Sequence, residues 1–220
     1  MKIKYLGRKI LAIMLKDDKI LTITESKENI FKEKGSQFIA QCFPITTEKS
    51  FSKILAEIKK KYYDASHHCY AYRLLNDNIK YSDDGEPNGT AGLRILNAID
   101  HFKLQNVLVV VIRYFGGTKL GIGPLGKAYY NSAFEVLEKS KKIEKLFYNK
   151  VFVNVDFNQI SSIHHIINNF EVKLTNTIYK ETVKFEILVK VNDLKRFEEK
   201  LVDELKGNVD IKVNKLLILD

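Results

Sequence analysis

The stretch that decides the fold reads VLVVVIRYFGGTKLGIGPLGK and covers residues 107–127. Its unbroken apolar run predicts a strand over 106–114 that is buried on both faces. Five glycines follow between Gly116 and Gly126. Pro124 suits the first turn of a helix, where its missing N–H is not needed, and a helix is predicted over about 124–141. A buried strand, a glycine-rich loop and a helix are therefore expected in succession.

The glycine-rich loop fits two nucleotide-binding fingerprints in part and neither in full. Gly121, Gly123 and Gly126 match G-x-G-x-x-G, but that motif needs its turn directly after a strand and an acidic residue on the next strand. Gly121, Gly126 and Lys127 match most of a P-loop, but Ala128 stands where a hydroxyl would hold Mg²⁺. Two alternatives remain, which are anion binding by backbone N–H groups at a helix start and close packing of glycines.

Upstream of this stretch, the loop SDDGEPNGTAG at 82–92 brings Asp83, Asp84 and Glu86 close together. Its spacing lacks the EF-hand series, and D-G and P-N-G are ordinary turn sequences, so no metal site is expected. We favour an ion pair of Asp83 or Glu86 with Arg113 or Lys119, which would pin this loop to the glycine-rich stretch. Surface recognition is the alternative role for these acids.

The stretch KKKYYDASHHCYAYR at 59–73 offers two further candidate sites. His67, His68 and Cys69 suggest zinc, but adjacent residues of a strand point to opposite faces and do not converge on one metal. Cys69 and Cys42 are therefore predicted as small core residues. Interleaved lysines and tyrosines suit single-stranded nucleic acid, although a solvated helix end with inward-facing tyrosines explains the same pattern.

The charge is uneven along the chain. The net charge is +9, and residues 1–150 carry 26 Lys/Arg against 16 Asp/Glu, whereas residues 151–220 carry 10 against 11. The basic excess therefore belongs to the first two thirds, which favours an anionic partner such as RNA. A lysine-rich solvated surface without a partner is the alternative. No apolar run is long enough for a membrane span, so a cytoplasmic protein without a membrane partner is expected.

Periodicity predicts the remaining elements. In the first part, strands are predicted at 20–24, 37–43, 67–74 and 79–82, a polar turn-like segment at 25–35, and helices at 47–62 and 91–101. Thr47 and Thr90 are the predicted N-caps of these helices. The second part has the predicted order βαββαβ, which is typical of ferredoxin-like domains. Its predicted strands are at 151–157, 172–179, 182–191 and 209–218, and its predicted helices are at 159–170 and 193–205.

Three stretches together resemble the IMPACT/YigZ family over about residues 20–220. They read HHCYAYR, SDDGEPNGTAG and VLVVVIRYFGGTKLGIGPLGKAY. The resemblance implies an α+β protein with an extension at 1–19, a domain similar to ribosomal protein S5 domain 2 at 20–148, and a ferredoxin-like domain similar to those of elongation factor G at 149–220. Arg94 and Pro124 depart from the residues usual in the family.

The resemblance also implies a function. Eukaryotic members act on translational control through a regulator of an initiation-factor kinase, so we expect a non-enzymatic regulator that binds RNA, the ribosome or a translation-associated protein, without a cofactor. Arg94, Arg113, Lys119 and Lys127 would face phosphates. The alternative is an enzyme or sensor that holds a phosphorylated small molecule or nucleotide on the glycine-rich loop. The candidate binding residues are Asp83, Asp84, Gly85, Glu86, Gly89, Thr90, Arg113, Tyr114, Gly116, Gly117, Lys119, Gly121, Gly123 and Lys127.

Overall fold

The structure, a computed structural model, describes residues 18–75 and 78–219. The predicted extension at 1–19 lies outside these residues except for its last two. The described chain divides into two compact units, the first formed by residues 20–144 and the second by residues 145–219 together with residues 18 and 19. No described helix is both long and apolar enough to cross a membrane.

The first unit is built on a five-stranded antiparallel sheet. The elements are β1 (Lys19–Ile23), β2 (Lys27–Glu33), β3 (Ser36–Pro44), α1 (Glu48–Lys61), β4 (His67–Arg73), β5 (Ile79–Ser82), α2 (Gly92–His101), β6 (Val107–Tyr114) and α3 (Ile122–Glu138). The strand order in the sheet is β2-β3-β6-β4-β5, and β1 lies outside it.

Both faces of this sheet are covered, and β6 shows why its sequence is apolar throughout. Val107, Val109 and Val111 pack into a core formed with α2 and α3. Leu108 and Ile112 face the other way, into a core that contains the apolar side of α1. Because successive side chains of a strand alternate between faces, a strand covered twice needs apolar residues at every position. The predicted buried strand is confirmed.

One element of the first unit differs from its prediction. The segment 25–35, predicted as polar and turn-like, contains strand β2, which pairs with β3 in register from Lys27 opposite Cys42 to Glu33 opposite Ser36. β2 forms the edge of the sheet, and its side chains are exposed or half-buried. An edge strand gains its hydrogen bonds from one neighbour and buries little, so its sequence carries a weak apolar signal.

The second unit has the predicted ferredoxin-like topology. Its elements are β7 (Lys142–Val155), α4 (Ile160–Asn168), β8 (Val172–Tyr179), β9 (Val183–Lys190), α5 (Leu194–Glu204) and β10 (Asp210–Leu219). The four strands form an antiparallel sheet of order β10-β7-β9-β8. Valines at 151, 153 and 155 of β7 pack into the core with residues of both helices. The first strand is longer at its start than the predicted 151–157 and ends two residues earlier.

Candidate functional site

The candidate residues gather around one end of the first unit's sheet. β6 ends at Tyr114, directly opposite Gln37 near the start of β3, and Arg113 lies opposite His67 at the start of β4. The acidic loop 83–91 and the glycine-rich loop 115–121 follow strands that finish here or nearby. We refer to this part of the molecule, with residues 34–36 and the start of α3, as the loop end.

A buried ion pair joins the two loops. The Nη1 of Arg113 donates to the Oε1 of Glu86 at 2.6 Å, and both side chains are about 5% exposed. The hydroxyl of Tyr129 donates to the same carboxylate oxygen at 2.8 Å. The predicted pairing of an acidic-loop carboxylate with the end of β6 is therefore present, and the acid involved is Glu86.

The guanidinium of Arg113 is held on several sides. Its Nη2 donates to the hydroxyl of Ser36 at 3.2 Å, and its carbon lies 5.4 Å and 5.6 Å from the ring centroids of Phe38 and Phe115. The Nε is buried and has no hydrogen-bond partner within the described part of the chain. Arg113 was predicted to face phosphates, and this prediction is corrected because its burial leaves it no access to a macromolecular phosphate.

Asp83 caps the start of α2 from a distance. Its Oδ1 accepts hydrogen bonds from the N–H groups of Ala91 and Gly92 at 2.9 Å and 2.8 Å, and its Oδ2 accepts from Gly89 at 2.9 Å. A carboxylate suits this position because the backbone N–H groups of a helix start are unpaired and carry partial positive charge. Thr90 was predicted as the cap, but its hydroxyl donates to the carbonyl of Pro87 at 2.6 Å, so Asp83 replaces it.

Asp84 is bound on both carboxylate oxygens. The N–H of His68 donates to Oδ2 at 2.7 Å, and the Nζ of Lys59 donates to Oδ1 at 3.2 Å. Burial alone would raise the pKa of Asp84, but the His68 N–H and the Lys59 ammonium outweigh it and hold that pKa below its ordinary value. Asp84 therefore stabilises the fold as a charged group.

The pKa of Asp84 gives a pH prediction. Because the folded-state pKa lies below the unfolded one, the stabilisation is complete above the unfolded pKa and is lost as the pH falls through the folded pKa. Asp84→Asn should lower the free energy of unfolding by about 1 kcal/mol at neutral pH, and the difference from wild type should shrink below about pH 4. Urea unfolding of both proteins across this range measures it, and a difference that stays constant in acid would contradict the assignment.

His67, His68 and Cys69 hold the acidic loop against β4. His67 Nδ1 lies 2.8 Å from the backbone carbonyl oxygen of Asp84, and the thiol of Cys69 donates to the carbonyl oxygen of Asp83 at 3.0 Å. His68 Nε2 lies 2.9 Å from the carbonyl oxygen of Tyr62. Burial raises the pKa of Cys69, which keeps the thiol protonated. Among the described residues, no group of three or more His, Cys, Asp or Glu side chains is arranged to hold a metal ion.

The glycines of the loop end serve different purposes. A Cβ on Gly116 would lie 1.9 Å from the carbonyl carbon of Gly35, so these two backbones are in direct contact. Gly117 and Gly121 have φ values of 84° and 82°, which favour glycine. Gly123 has neither constraint, because a Cβ there would meet nothing within 4 Å and its φ is not left-handed. The structure therefore explains the first three glycines by packing or conformation and leaves Gly123 free for another role.

The exposed part of the loop end is cationic and apolar. Lys119 and Lys127 are exposed, Phe115 is 49% exposed and Ile122 is 73% exposed. Tyr114 is half-buried, and its hydroxyl donates to Asp64 at 2.8 Å. The predicted residues therefore separate into two groups, one that builds the loops and one that faces solvent.

Sequence reasoning missed three members of this network, which are Gly35, Ser36 and Tyr129. Ser36 accepts from Arg113 and from the N–H of Gly116, and Tyr129 also lies 3.3 Å from the thiol of Cys69. Local patterns carried no signal for Ser36. Tyr129 lies on the buried side of α3, where an aromatic residue is typical of a core, and only its hydroxyl hinted at a polar partner.

Comparisons with protein families match both units. A family model described as the Impact N-terminal domain matches residues 34–137, and a second, described as a domain of unknown function (DUF1949), matches residues 153–208. A crystal structure of a hypothetical protein superposes with a TM-score of 0.64 at 23% identity and covers 91% of this chain and 99% of that one. That likeness supports the fold.

Individual relatives extend over both units. The chain is 33% identical over 201 residues to the IMPACT family member YvyE of Bacillus subtilis (strain 168), which covers 90% of this chain and 93% of that protein. It is 26% identical over 188 residues to the IMPACT family member YigZ of Escherichia coli (strain K12), 84% of this chain and 91% of the relative. Protein IMPACT of Homo sapiens is 32% identical over 133 aligned residues, and the match covers 51% of this chain and 42% of that protein.

Proposed function

The chain belongs to the IMPACT family, and on that premise we propose that it is a cytoplasmic, non-enzymatic regulator linked to translation whose first unit binds RNA through the loop end. The RNA is bound free or as part of the ribosome. The observation that carries this proposal is the separation of the loop-end residues into a group whose acids are bonded within the protein and an outward group that carries exposed lysines.

The acids of the loop end are engaged inside the protein. Asp83 accepts three backbone N–H groups, Asp84 accepts from His68 and Lys59, and Glu86 accepts from Arg113 and Tyr129. A carboxylate whose oxygens are occupied in this way repels an approaching phosphate less than a free one, because its charge is already compensated. An anionic partner therefore meets little opposition at this surface.

The outward residues suit a nucleic acid. Lys34, Lys119 and Lys127 are exposed cations, and Phe115 presents half of its surface to solvent. Sites for single-stranded nucleic acid typically place cations along the phosphate backbone and an aromatic ring between them. The N–H groups at the start of α3 also favour anions. Gly123 permits close approach of a phosphate to that helix start, because nothing fills the space beside it.

The alternative, an enzyme acting on a phosphorylated small molecule, has less support. It would need Asp83, Asp84 or Glu86 as a base or metal ligand, and each is already bound within the protein. A free carboxylate or a nucleophile with an adjacent base would have favoured it.

Removing two exposed lysines tests the proposal. The double variant Lys119→Gln/Lys127→Gln should bind a fluorescein-labelled RNA more weakly, and the slope of log affinity against log salt should fall in magnitude by about 1.4, since each lost phosphate contact on a single strand contributes about 0.7. Fluorescence anisotropy at several salt concentrations measures both quantities.

A matched control removes the same charge elsewhere on the first unit. Lys49 and Lys103 are exposed and lie towards the other end of the sheet, near the start of α1 and just after α2. The variant Lys49→Gln/Lys103→Gln should keep the wild-type affinity and salt slope. If both double variants lose the same RNA affinity, the effect comes from net charge alone, and a site at the loop end is refuted. RNA binding that does not depend on salt concentration would refute it as well.

A further inference from the structure

The ferredoxin-like sheet of the second unit packs its two helices on one face, and no described helix of this unit lies on the other. In β7, Val151 and Val153 face the core, so Phe152 and its alternating neighbours Lys150 and Asn154 face away from it. On β9, the residue opposite Phe152 is Glu186, and on β10 it is Lys212. We call this surface the open face and define it by Lys150, Phe152, Asn154, Lys184, Glu186, Asp210, Lys212 and Asn214.

An aromatic ring lies at the middle of the open face among lysines. β7 is one of the two central strands in the order β10-β7-β9-β8, and it carries Phe152. The Nζ of Lys184 is 4.4 Å from the centroid of that ring, and the Nζ of Lys150 is 5.3 Å from it. Lys150 also pairs with Glu186 at 2.6 Å, and Lys212 lies 3.7 Å from the carboxylate of Asp210, a pair in which both side chains are largely exposed.

A hollow lies beside the ring. Its volume is about 540 Å³, and it is lined by Phe152, Asn154, Lys184, Lys212 and Asn214 among others. Clefts of several hundred Å³ hold small ligands and single nucleotides. An apolar ring, lysine ammonium groups, side-chain amides and the carboxylate of Asp210 therefore border one space.

Charge is distributed unevenly around this unit. Residues 151–220 carry 10 basic and 11 acidic side chains, so the unit is near neutral as a whole. The exposed helix α5, LKRFEEKLVDE, carries four acids against three cations. The open face has three lysines against Glu186 and Asp210, and each of these acids is paired with a lysine. The cationic side of the second unit is therefore the side with the aromatic ring.

We propose that the open face binds single-stranded RNA, with a base stacked on Phe152 and the flanking phosphates on Lys184 and Lys212. An aromatic residue on a central strand of a four-stranded βαββαβ sheet, with cations on its neighbours, is how RNA-recognition sheets hold unpaired bases. Phosphates supply the charge that complements the lysines, and an unpaired base supplies the flat surface that complements the ring. This site is distinct from the loop end and stands whether or not the loop end binds RNA.

The proposal predicts different effects for the ring and for the lysines. In the full chain, Phe152→Leu should weaken binding of fluorescein-labelled oligouridylate roughly 5- to 150-fold, the effect of losing one stacked base, and should leave the salt dependence unchanged. Phe152→Tyr, which keeps the ring, should bind as wild type does. Lys184→Gln/Lys212→Gln should lower the magnitude of the salt slope by about 1.4.

Two controls make the result decisive. Lys195→Gln/Lys200→Gln removes the same charge from the exposed surface of α5 and should leave binding unchanged. A fully paired RNA duplex should bind more weakly than the single strand, because its bases cannot stack on a protein ring. Thermal unfolding of each variant checks that the second unit is folded.

The outcomes separate this proposal from the one for the loop end. Wild-type affinity in Phe152→Leu, an equal loss in Phe152→Tyr, or equal binding of duplex and single strand would overturn it. Loss of binding in Lys119→Gln/Lys127→Gln together with wild-type binding in Phe152→Leu would confirm the loop end and refute the open face. The reverse pattern would confirm the open face and refute the loop end.

Discussion

Replacing Arg113 with methionine is expected to lower the free energy of unfolding of the first unit by about 3–5 kcal/mol. The reason is the position of the ion pair, because Arg113 and Glu86 are both about 5% exposed. Without the guanidinium, the Glu86 carboxylate stays buried, with the hydroxyl of Tyr129 at 2.8 Å and His67 Nε2 at 3.8 Å as its remaining polar neighbours. Native-state hydrogen exchange of the β6 amides measures this loss in the first unit alone.

Two controls test whether the buried charge causes the loss. Arg73→Met removes an arginine whose pair with Asp100, at 2.6 Å, is more exposed to solvent, and it should cost only about 1 kcal/mol. The double variant Arg113→Met/Glu86→Gln removes both charges and should recover a large part of the loss, since a neutral buried amide costs less than an unpaired charge. An equal cost for Arg113→Met and Arg73→Met, or no recovery in the double variant, would argue against the explanation.

Gly116→Ala is the second substitution with a large expected effect, a loss of about 3 kcal/mol or more. An added Cβ would lie 1.9 Å from the carbonyl carbon of Gly35 and 2.3 Å from the N of Ser36, and backbone atoms cannot move aside as a flexible side chain does. Separating these segments would also break the hydrogen bond from Gly116 N–H to the Ser36 hydroxyl, which is 3.3 Å long. Native-state hydrogen exchange of the β6 and β3 amides measures this loss of stability.

Gly123→Ala is the matched control for this prediction. Its Cβ would meet nothing within 4 Å, and an alanine in a helix is favoured over glycine by up to about 1 kcal/mol. We therefore expect unchanged or higher stability, with weaker RNA binding if a phosphate approaches the start of α3. A comparable destabilisation in both variants would show that the contact of Gly116 with Gly35 is not the cause.

Local patterns carried much of the fold. The apolar run of β6 predicted a strand covered on both faces, because only that environment favours six consecutive apolar side chains. The N-cap at Thr47 was predictable because a threonine precedes the apolar helical pattern, and its hydroxyl accepts from the N–H of Ser50 at 3.1 Å. The βαββαβ order of the second unit followed from alternating periods of two and 3.6 residues. β2 was missed because its edge position leaves it with little apolar surface.

The sequence by itself therefore determined which segments are strands and helices, the division of charge between the two parts of the chain, and the family. The roles within the candidate site were decided by the tertiary structure. Arg113 was expected both to face phosphates and to pair with an acid of the 82–92 loop, and the structure buries it as the partner of Glu86. Asp83 took the capping role predicted for Thr90, and Gly116 was matched with Gly35. The physical reason is that secondary structure depends on neighbours within a few residues. Whether a side chain meets solvent or a partner depends instead on sheet order, which brings together residues as far apart in sequence as Ser36 and Gly116.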